Sequence, residues 1–355
     1  MQLVAFNDEE KYIRDFLKLP TMLYSSKENM EDPDSMRSIL NGTHPLSSYF
    51  SLTKFLVYDG DEVKGRFCFT RYDGDDVAYL GFFECVDDGE VAKFLFEKAY
   101  EKAKEMGAPK IVGPVDGSFW IKYRLKINMF ERPYTGEPYN KDYYLRLFRD
   151  NGYEVCEHYT SNINPAIDDS YVNEKFQKHY DDFISKGYEI RSPRKEEFDG
   201  TVDIIYELVT KLYRQMPIFR DLSLQTFREV FGSYKKIIDP GMTKIAYYEG
   251  KAVGFYVSIP DFGNSVYHLG NPLNIIRVLT TKKNPKKFIM LYMGVLPEHR
   301  GLGKAISYAI MKELRQNKRP SISALIRDGN INQKYVEEDI KGYYEYVLLS
   351  RTIRG

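Results

Sequence analysis

One glycine-containing turn has the residue types of an anion-binding site. The run from Gly294 to Ala305 reads Gly-Val-Leu-Pro-Glu-His-Arg-Gly-Leu-Gly-Lys-Ala. It follows an apolar, strand-like segment and precedes apolar residues at helical spacing, which predicts a strand–turn–helix unit. Glycine lets backbone N–H groups approach a ligand closely, and the first turn of a helix adds partial positive charge. Because Arg300 and Lys304 add full charges, the run predicts a site for a phosphate group.

Two other phosphate-binding loops do not fit this run. A Walker A loop requires a glycine where the chain has Glu298, and a hydroxyl residue where it has Ala305. A dinucleotide-binding loop of the GxGxxG type requires a third glycine after Gly303, and the chain has none at that position. The remaining alternative is a glycine-rich turn that only joins a strand to a helix.

The run resembles motif A of the GNAT superfamily of N-acetyltransferases. The family pattern is Gln/Arg-x-x-Gly-x-Gly/Ala, and Arg300, Gly303 and Ala305 match it. The preceding segment Val295–His299 resembles the V-x-P-x-x sequence that usually enters the motif. The resemblance implies that this turn binds the pyrophosphate of an acyl-coenzyme A.

The resemblance also assigns binding roles to individual residues. Strand Lys287–Val295 would pair with the pantetheine arm, where its two neighbouring strands would splay apart. Asn330 matches a position at which the family often places an Asn that contacts pantetheine, although a solvated helix cap explains it equally well. The residues implied in pyrophosphate binding are Val295, Leu296, Arg300, Gly301, Leu302, Gly303, Lys304 and Ala305.

The catalytic residues depart from the family pattern. Many GNAT enzymes carry a Tyr about seven residues after that Asn, which can protonate the leaving thiolate. Here Glu337 has that position and the nearest tyrosine is Tyr335. Tyr292 and Glu298 are the polar candidates for a general base near the central strand. Tyr335 and Tyr292 are therefore the candidate catalytic residues, with packing or a surface position as the alternative for each.

The order of predicted elements repeats in the two halves. The second half reads as two helices, a hairpin, a strand, a helix, a strand, a short helix and a last strand. These segments are Asp199–Gln215, Leu224–Ile237, Lys244–Tyr248 with Ala252–Ile259, Lys287–Val295, Gly303–Asn317, Ser321–Ile326, Asn330–Asp339 and Tyr343–Ser350. The first half reads as Lys54–Asp59 with Val63–Thr70, Val77–Val86, Glu90–Met106, Lys110–Gly113, Tyr143–Asn151 and Tyr153–Tyr159.

This order indicates an α/β (α+β) chain of two GNAT-like domains. Each domain is expected to be a mixed, mostly antiparallel twisted sheet flanked by helices. The predicted division is a degenerate domain at 1–160, a polar helical linker at 161–186, and an acyltransferase domain at 187–355 with the strand–loop–helix site. The first copy is predicted to be incompetent, because its turn reads Glu84-Cys85-Val86-Asp87-Asp88-Gly89-Glu90-Val91, and acidic side chains there would repel a pyrophosphate.

Composition excludes several classes of function. The 355 residues carry 51 basic and 51 acidic side chains, so no global field attracts nucleic acid or an anionic membrane. The three cysteines and five histidines lack metal-ligand spacing, so no metal is expected and the cysteines read as buried thiols. A polar N-terminus and the lack of a long apolar run predict a cytoplasmic protein, either a monomer or a homodimer. The basic cluster Lys282, Lys283, Lys286 and Lys287 reads as a solvated loop, or else contacts an acidic acceptor.

The expected activity is acyl transfer, most often of acetyl, from acetyl-coenzyme A to an amine by direct attack, with no metal and no covalent intermediate. Two alternatives remain open. One is a coenzyme A-binding module that has lost its acid and base. The other is a FemX-like peptidyl or aminoacyl transferase of the cell-wall bridge-building type, although those enzymes usually lack an intact motif A.

Overall fold

The structure, a computed structural model, describes residues 1–329 and 340–354. It divides into two compact units, of which the first is Met1–Tyr159, Gly263–Asn271 and Glu345–Gly355, and the second is Thr160–Phe262 and Pro272–Tyr344. These units differ in three places from the division expected from the sequence. Segment 161–186 belongs to the second unit, and segments 263–271 and 345–355 belong to the first.

The first unit contains most of the predicted elements of the first half, together with an N-terminal strand and two helices that the sequence reading did not assign. Its strands are β1 (Gln2–Phe6), β2 (Ser51–Asp59), β3 (Glu62–Arg71), β4 (Ala78–Cys85), β5 (Lys110–Gly113) and the two-residue β6 (Val115–Asp116), β7 (Lys122–Tyr123) and β8 (Leu125–Lys126). Its helices are α1 (Glu10–Leu23), α2 (Pro33–Leu40), α3 (Gly89–Glu105) and α4 (Tyr144–Asp150).

The second unit begins inside one strand and ends inside another. Strand β9 (Glu154–Asn164) enters it from the first unit, and β15 (Gly342–Thr352) leaves it. Its other strands are β10 (Glu189–Arg191), β11 (Lys244–Tyr248), β12 (Lys251–Pro260), β13 (Phe288–Val295) and β14 (Ser321–Arg327). Its helices are α5 (Glu174–Ser185), α6 (Phe198–Tyr213), α7 (Leu224–Phe231), α8 (Pro272–Lys283) and α9 (Leu302–Asn317).

Each unit contains a mostly antiparallel sheet with one parallel pair. The strand order is β1-β2-β3-β4-β5-β15 in the first unit and β14-β13-β12-β11-β10 in the second. The parallel pairs are β4 with β5 and β13 with β14. Helices α3 and α9 follow the central strands β4 and β13, and each buries the apolar face that the sequence predicts. The expected mixed architecture of sheets flanked by helices is thereby confirmed.

The last strand of the chain belongs to the first unit rather than completing the second. Residues Leu349 to Thr352 of β15 pair antiparallel with β5. The side chains of Tyr346, Val347, Leu348 and Leu349 are buried there. The Tyr346 hydroxyl donates to Glu137 at 2.6 Å, and the same carboxylate oxygen accepts from the buried Lys126 ammonium at 2.6 Å. The placement of β15 depends on pairing with a strand that is distant in sequence. The periodicity of one strand shows that the strand is buried, but it does not identify the strand with which it pairs.

The predicted linker contains a helix that packs as part of the second unit. Phe176 of α5 is buried, and Tyr180 and Phe183 pack against a core cluster that includes Leu302 and Ile306 of α9. These three aromatic residues recur at intervals of four and three positions, which is the spacing of one helix face. The helix expected in this polar linker is therefore present, but it belongs to the second unit.

Several smaller expectations need correction. The predicted helix Leu224–Ile237 ends at Phe231, and a turn of 3₁₀ helix follows from Gly232. The basic cluster read as a loop begins on α8 with Lys282 and Lys283. Cys68 and Cys85 are buried free thiols as expected, but Cys156 is exposed.

Membrane-spanning helices and clusters of metal-binding side chains are both absent from the part of the chain that the structure describes. No helix there has both the length and the apolar character needed to cross a membrane. No group of three or more His, Cys, Asp or Glu side chains there could hold a metal ion.

Candidate functional site

The predicted anion site lies where β13 turns into α9. Strand β13 ends at Val295, one 3₁₀ turn spans Pro297–His299, and Gly301 precedes the first helical residue. Gly301 has a φ of +99°, a left-handed conformation that other residues adopt only with strain. The sequence therefore places glycine where the backbone must reverse tightly to begin the helix.

The N-terminus of α9 has no side-chain cap. Gly301 occupies the cap position, and no side chain of a described residue accepts from the first helical amides. The Lys304 amide donates to the Gly301 carbonyl at 3.2 Å, whereas the amides of Gly301, Leu302 and Gly303 donate to no described residue. Unpaired amides at a helix N-terminus, together with the helix dipole, are able to bind an anion. Leu302, Gly303 and Ala305 are buried, which fixes this backbone against the core.

One predicted binding group is already used inside the sheet. The Leu296 amide donates to the Val253 carbonyl at 2.9 Å and so extends the pairing of β13 with β12. Its N–H group is therefore unavailable to an anion in this structure, in contrast to the expectation from the family resemblance. The amides without a described partner begin at Gly301, five residues further along the chain.

Next to this turn, one edge of β13 pairs with no strand of the described residues. The parallel pairing with β14 covers Phe288 to Met290 and stops there, although both strands continue. At the same point the register with β12 shifts, because Val257 pairs with Tyr292 while Ser258 pairs with Met290. Leu291 is thus the extra residue of a β-bulge, which bends a strand and ends regular pairing. Strands β13 and β14 therefore separate beyond Met290, whereas β12 stays paired with β13 as far as Val295.

Helix α5 supplies residues to the turn that the sequence reading missed. A Cβ atom on Gly301 would lie 3.7 Å from Phe183 and 3.9 Å from His179. The His179 Nε2 atom is 3.4 Å from the ammonium of Lys304. Partial burial and the Lys304 cation lower the pKa of His179, because both disfavour the imidazolium form. Two basic side chains therefore meet beside the uncapped amides, while Arg300 is exposed to solvent.

Aromatic stacking fixes the preceding 3₁₀ turn. The Tyr188 hydroxyl lies 2.7 Å from the Nδ1 atom of His299, and the Tyr188 ring stacks on Tyr248 with centroids 4.3 Å apart. The His299 amide donates to the Leu296 carbonyl at 2.9 Å. The conformation of the turn is thus determined by the sheet around it as well as by its glycines.

Of the predicted catalytic residues, the structure describes Tyr292 but not Tyr335. Tyr292 is half-buried on β13 next to the bulge, and its ring lies 6.1 Å from that of Tyr213. The Tyr213 hydroxyl donates to the Met293 carbonyl at 3.1 Å, which ties helix α6 to this strand. Glu298 is exposed on the 3₁₀ turn. Asn330, Tyr335 and Glu337 lie outside the described residues.

The corresponding turn of the first unit is blocked by its own side chains. Asp88 caps helix α3, and its carboxylate accepts from the amides of Glu90 at 2.8 Å and Val91 at 3.2 Å. The neighbouring Asp87 forms an ion pair with Arg146. The amides that would bind an anion thus already have a carboxylate partner, which adds a structural reason to the repulsion expected from the acidic sequence.

The cleft beside β4 is also filled. The parallel pairing of β4 with β5 covers only Ala78 and Tyr79, so these strands splay as β13 and β14 do. The segment around β6 occupies the gap: the Asp116 carboxylate accepts from the Phe82 amide at 2.5 Å. A Cβ atom on Gly81 would overlap the Val115 carbonyl, so only glycine fits there. No local pattern in the sequence predicts this filling, because it is made by residues more than thirty positions apart.

The comparisons with known proteins agree on fold. No protein-family model matches the chain. Protein YghO of Escherichia coli (strain K12) is 21% identical over 279 residues, which cover 74% of this chain and 69% of that protein. A tandem GNAT protein from the clavulanic acid biosynthesis pathway superimposes with a TM-score of 0.55 at 11% identity, covering 100% of this chain and 99% of that one. A GCN5-related N-acetyltransferase from Kribbella flavida gives a TM-score of 0.52 at 12% identity, covering 99% and 71%. At such low identities the similarity is one of fold, and the chain has the fold of a tandem GNAT protein.

Proposed function

We propose that this protein transfers an acyl group, acetyl in the simplest case, from coenzyme A to an amine, and that it binds coenzyme A in the second unit alone. The observation that carries the proposal is the contrast between two equivalent helix N-termini. The start of α9 is uncapped and flanked by Arg300 and Lys304, whereas the start of α3 is capped by Asp88. A pyrophosphate is stabilised at the first site and repelled at the second.

The open edge of β13 suits the rest of the cosubstrate. A pantetheine arm carries two amides, and an unpaired strand edge presents backbone donors and acceptors that such amides can pair with. The edge opens at Leu291, and the pyrophosphate site begins at Gly301, so both lie on one continuous strand–turn–helix segment. Asn330 is proposed to contact the same arm.

Acyl transfer requires that the amine and the thioester be held close together, that a base take a proton from the amine, and that an acid give one to the thiolate. The amine nitrogen attacks the thioester carbonyl carbon, the bond from that carbon to sulfur breaks, and the amine loses a proton while the thiolate gains one. A backbone N–H on the splayed strand would polarise the carbonyl. We assign Tyr292 as the candidate for the base, acting directly or through water, and Tyr335 as the candidate for the acid.

Calorimetry and a thiol-release assay test the proposal together. We expect one coenzyme A site per chain, and release of free thiol from acetyl-coenzyme A that depends on an added amine from a panel of small amines. Binding without release at any amine would identify a non-catalytic coenzyme A module. Two equivalent sites, or no binding, would overturn the proposal that the second unit alone holds the cosubstrate.

The same assay separates the two tyrosines. Tyr335→Phe keeps the ring and removes the hydroxyl, so a role as acid predicts a fall in kcat of about 10²- to 10⁴-fold with little change in coenzyme A affinity. Tyr292→Phe is the parallel variant for the base. A variant with unchanged kcat would remove that tyrosine from the mechanism.

The position of His179 predicts a pH dependence for coenzyme A binding. Its pKa is lowered in the free protein, and a pyrophosphate beside Lys304 would favour the imidazolium and raise that pKa. Binding would then take up a proton, so affinity should weaken as pH rises between the free and the bound pKa, by at most about tenfold per pH unit. The charges of Lys175, Lys178 and Asp182 on α5 also act on His179.

Calorimetry in buffers of different ionisation enthalpy measures this proton uptake. His179→Gln should reduce the uptake and flatten the pH profile, while His158→Gln in the first unit should leave both as in the unchanged protein. Equal proton uptake in the unchanged protein and in His179→Gln would assign the pH dependence to the phosphates of the ligand.

A further inference from the structure

Helix α8 exposes an aliphatic stripe. Ile275, Ile276 and Leu279 are 44%, 56% and 62% exposed, whereas Asn274 on the other side is buried. At 3.6 residues per turn the three exposed side chains, with Lys282 and Lys283, lie within an arc of about 120°. Surface helices of a folded domain usually turn such a stripe inward, so an outward stripe on a short helix indicates a binding surface.

The same helix carries a local surplus of positive charge. Residues 272–287 include Arg277 and four lysines and no acidic residue, in a chain whose total charge is zero. Lys287 is paired with Asp261 at 3.1 Å, whereas Lys283 and Lys286 form no ion pair with a described residue. The Lys282 ammonium donates to the Lys236 carbonyl at 2.5 Å, which brings Lys236 beside the end of α8. The neighbouring Lys235 is paired with Asp199 at 3.2 Å.

We propose that α8 docks this protein on the surface of an anionic phospholipid bilayer. Aliphatic side chains flanked by lysines on one helix face allow shallow insertion while the ammonium groups contact the phosphates. A second copy of the chain is disfavoured, because a two-fold contact through α8 would bring the two sets of lysines together. A nucleic acid is disfavoured because α8 has no aromatic side chain on which a base could stack.

The proposed membrane contact differs from the expectation, drawn from the balanced composition, that no field of the protein attracts an anionic membrane. Zero net charge argues against a field over the whole protein, but it does not describe a patch of a few lysines. The docking surface is also independent of the coenzyme A site, since none of its residues belongs to the β13–α9 turn.

Vesicle co-sedimentation of the full chain tests the proposal. We expect binding to vesicles of phosphatidylglycerol and phosphatidylcholine in equal parts, weak binding to phosphatidylcholine alone, and weaker binding at high salt. The double variant Ile276→Asn with Leu279→Asn should lower the partition constant at least about tenfold, through loss of apolar insertion. Lys283→Gln with Lys286→Gln should lower it about 25-fold, at about fivefold for each lysine.

Matched controls remove similar groups elsewhere. Val172→Asn alters an equally exposed aliphatic side chain, and Lys98→Gln with Lys102→Gln removes two charges from α3. These controls should bind vesicles as the unchanged protein does, and thermal unfolding should confirm that every variant folds. Unchanged binding in both α8 variants would overturn the proposal. So would a concentration-dependent dimer that Ile276→Asn with Leu279→Asn abolishes, because it would identify a second copy as the occupant.

Discussion

Replacing Gly303 by glutamate is expected to abolish coenzyme A binding. Gly303 is buried in the first turn of α9, beside the amides proposed to hold the pyrophosphate. The substitution adds a side chain where the ligand would approach and a negative charge against its phosphates. Like charges placed together in a binding site cost several kcal/mol, so calorimetry should register a loss of affinity of at least about a hundredfold.

The equivalent helix of the first unit provides the control. Gly89 is the first residue of α3, and a Cβ atom there would meet nothing within 4 Å. Gly89→Glu should therefore fold and bind coenzyme A with unchanged affinity. Because Gly303 is buried, Arg300→Glu at an exposed position serves as the variant with the lesser risk to folding, and we expect about a tenfold loss from it.

The affinities of these three variants show which unit binds coenzyme A. Retained affinity in both Gly303→Glu and Arg300→Glu, with Gly89→Glu also unaffected, would place the cosubstrate away from both helix N-termini. A loss of affinity in Gly89→Glu would indicate that the first unit takes part in binding.

A fragment of residues 187–355 is expected not to fold by itself. It lacks α5, whose Tyr180 and Phe183 pack against the α9 core, and it lacks the end of β9. It also retains residues 345–352, whose partner strand β5 it does not contain. Four consecutive buried side chains from Tyr346 to Leu349 would then lie on an unpaired strand, which is a template for aggregation.

Solubility, circular dichroism and coenzyme A binding of the purified fragment check this expectation. A fragment of residues 160–344 is the matched comparison, because it follows the boundaries of the second unit. It restores α5 and the end of β9 and omits the orphaned strand, so it should be the more soluble of the two. A monomeric 187–355 fragment with cooperative unfolding would show that the two segments contribute little to stability.

Local pattern in the sequence determined most helices and strands and the turn at the site. Both hairpins, the central strands and the helices after them lie within a few residues of their predicted bounds. Glycine at position 301 and the uncapped helix start are local features, because they depend on the backbone within one turn. The acidic turn at Asp87 and Asp88 is likewise local, and its sequence alone predicts repulsion of a pyrophosphate.

Contacts between residues distant in sequence determine which strands pair, which helices pack together and which groups meet at the site. The last strand joins β5, and α5 packs on α9, because each has an apolar face that only a remote partner covers. The Leu296 amide is used by Val253, and His179 reaches Lys304 across more than a hundred residues. Periodicity reports that a face is buried or a strand is paired, but the partner is chosen by the packing of the whole unit.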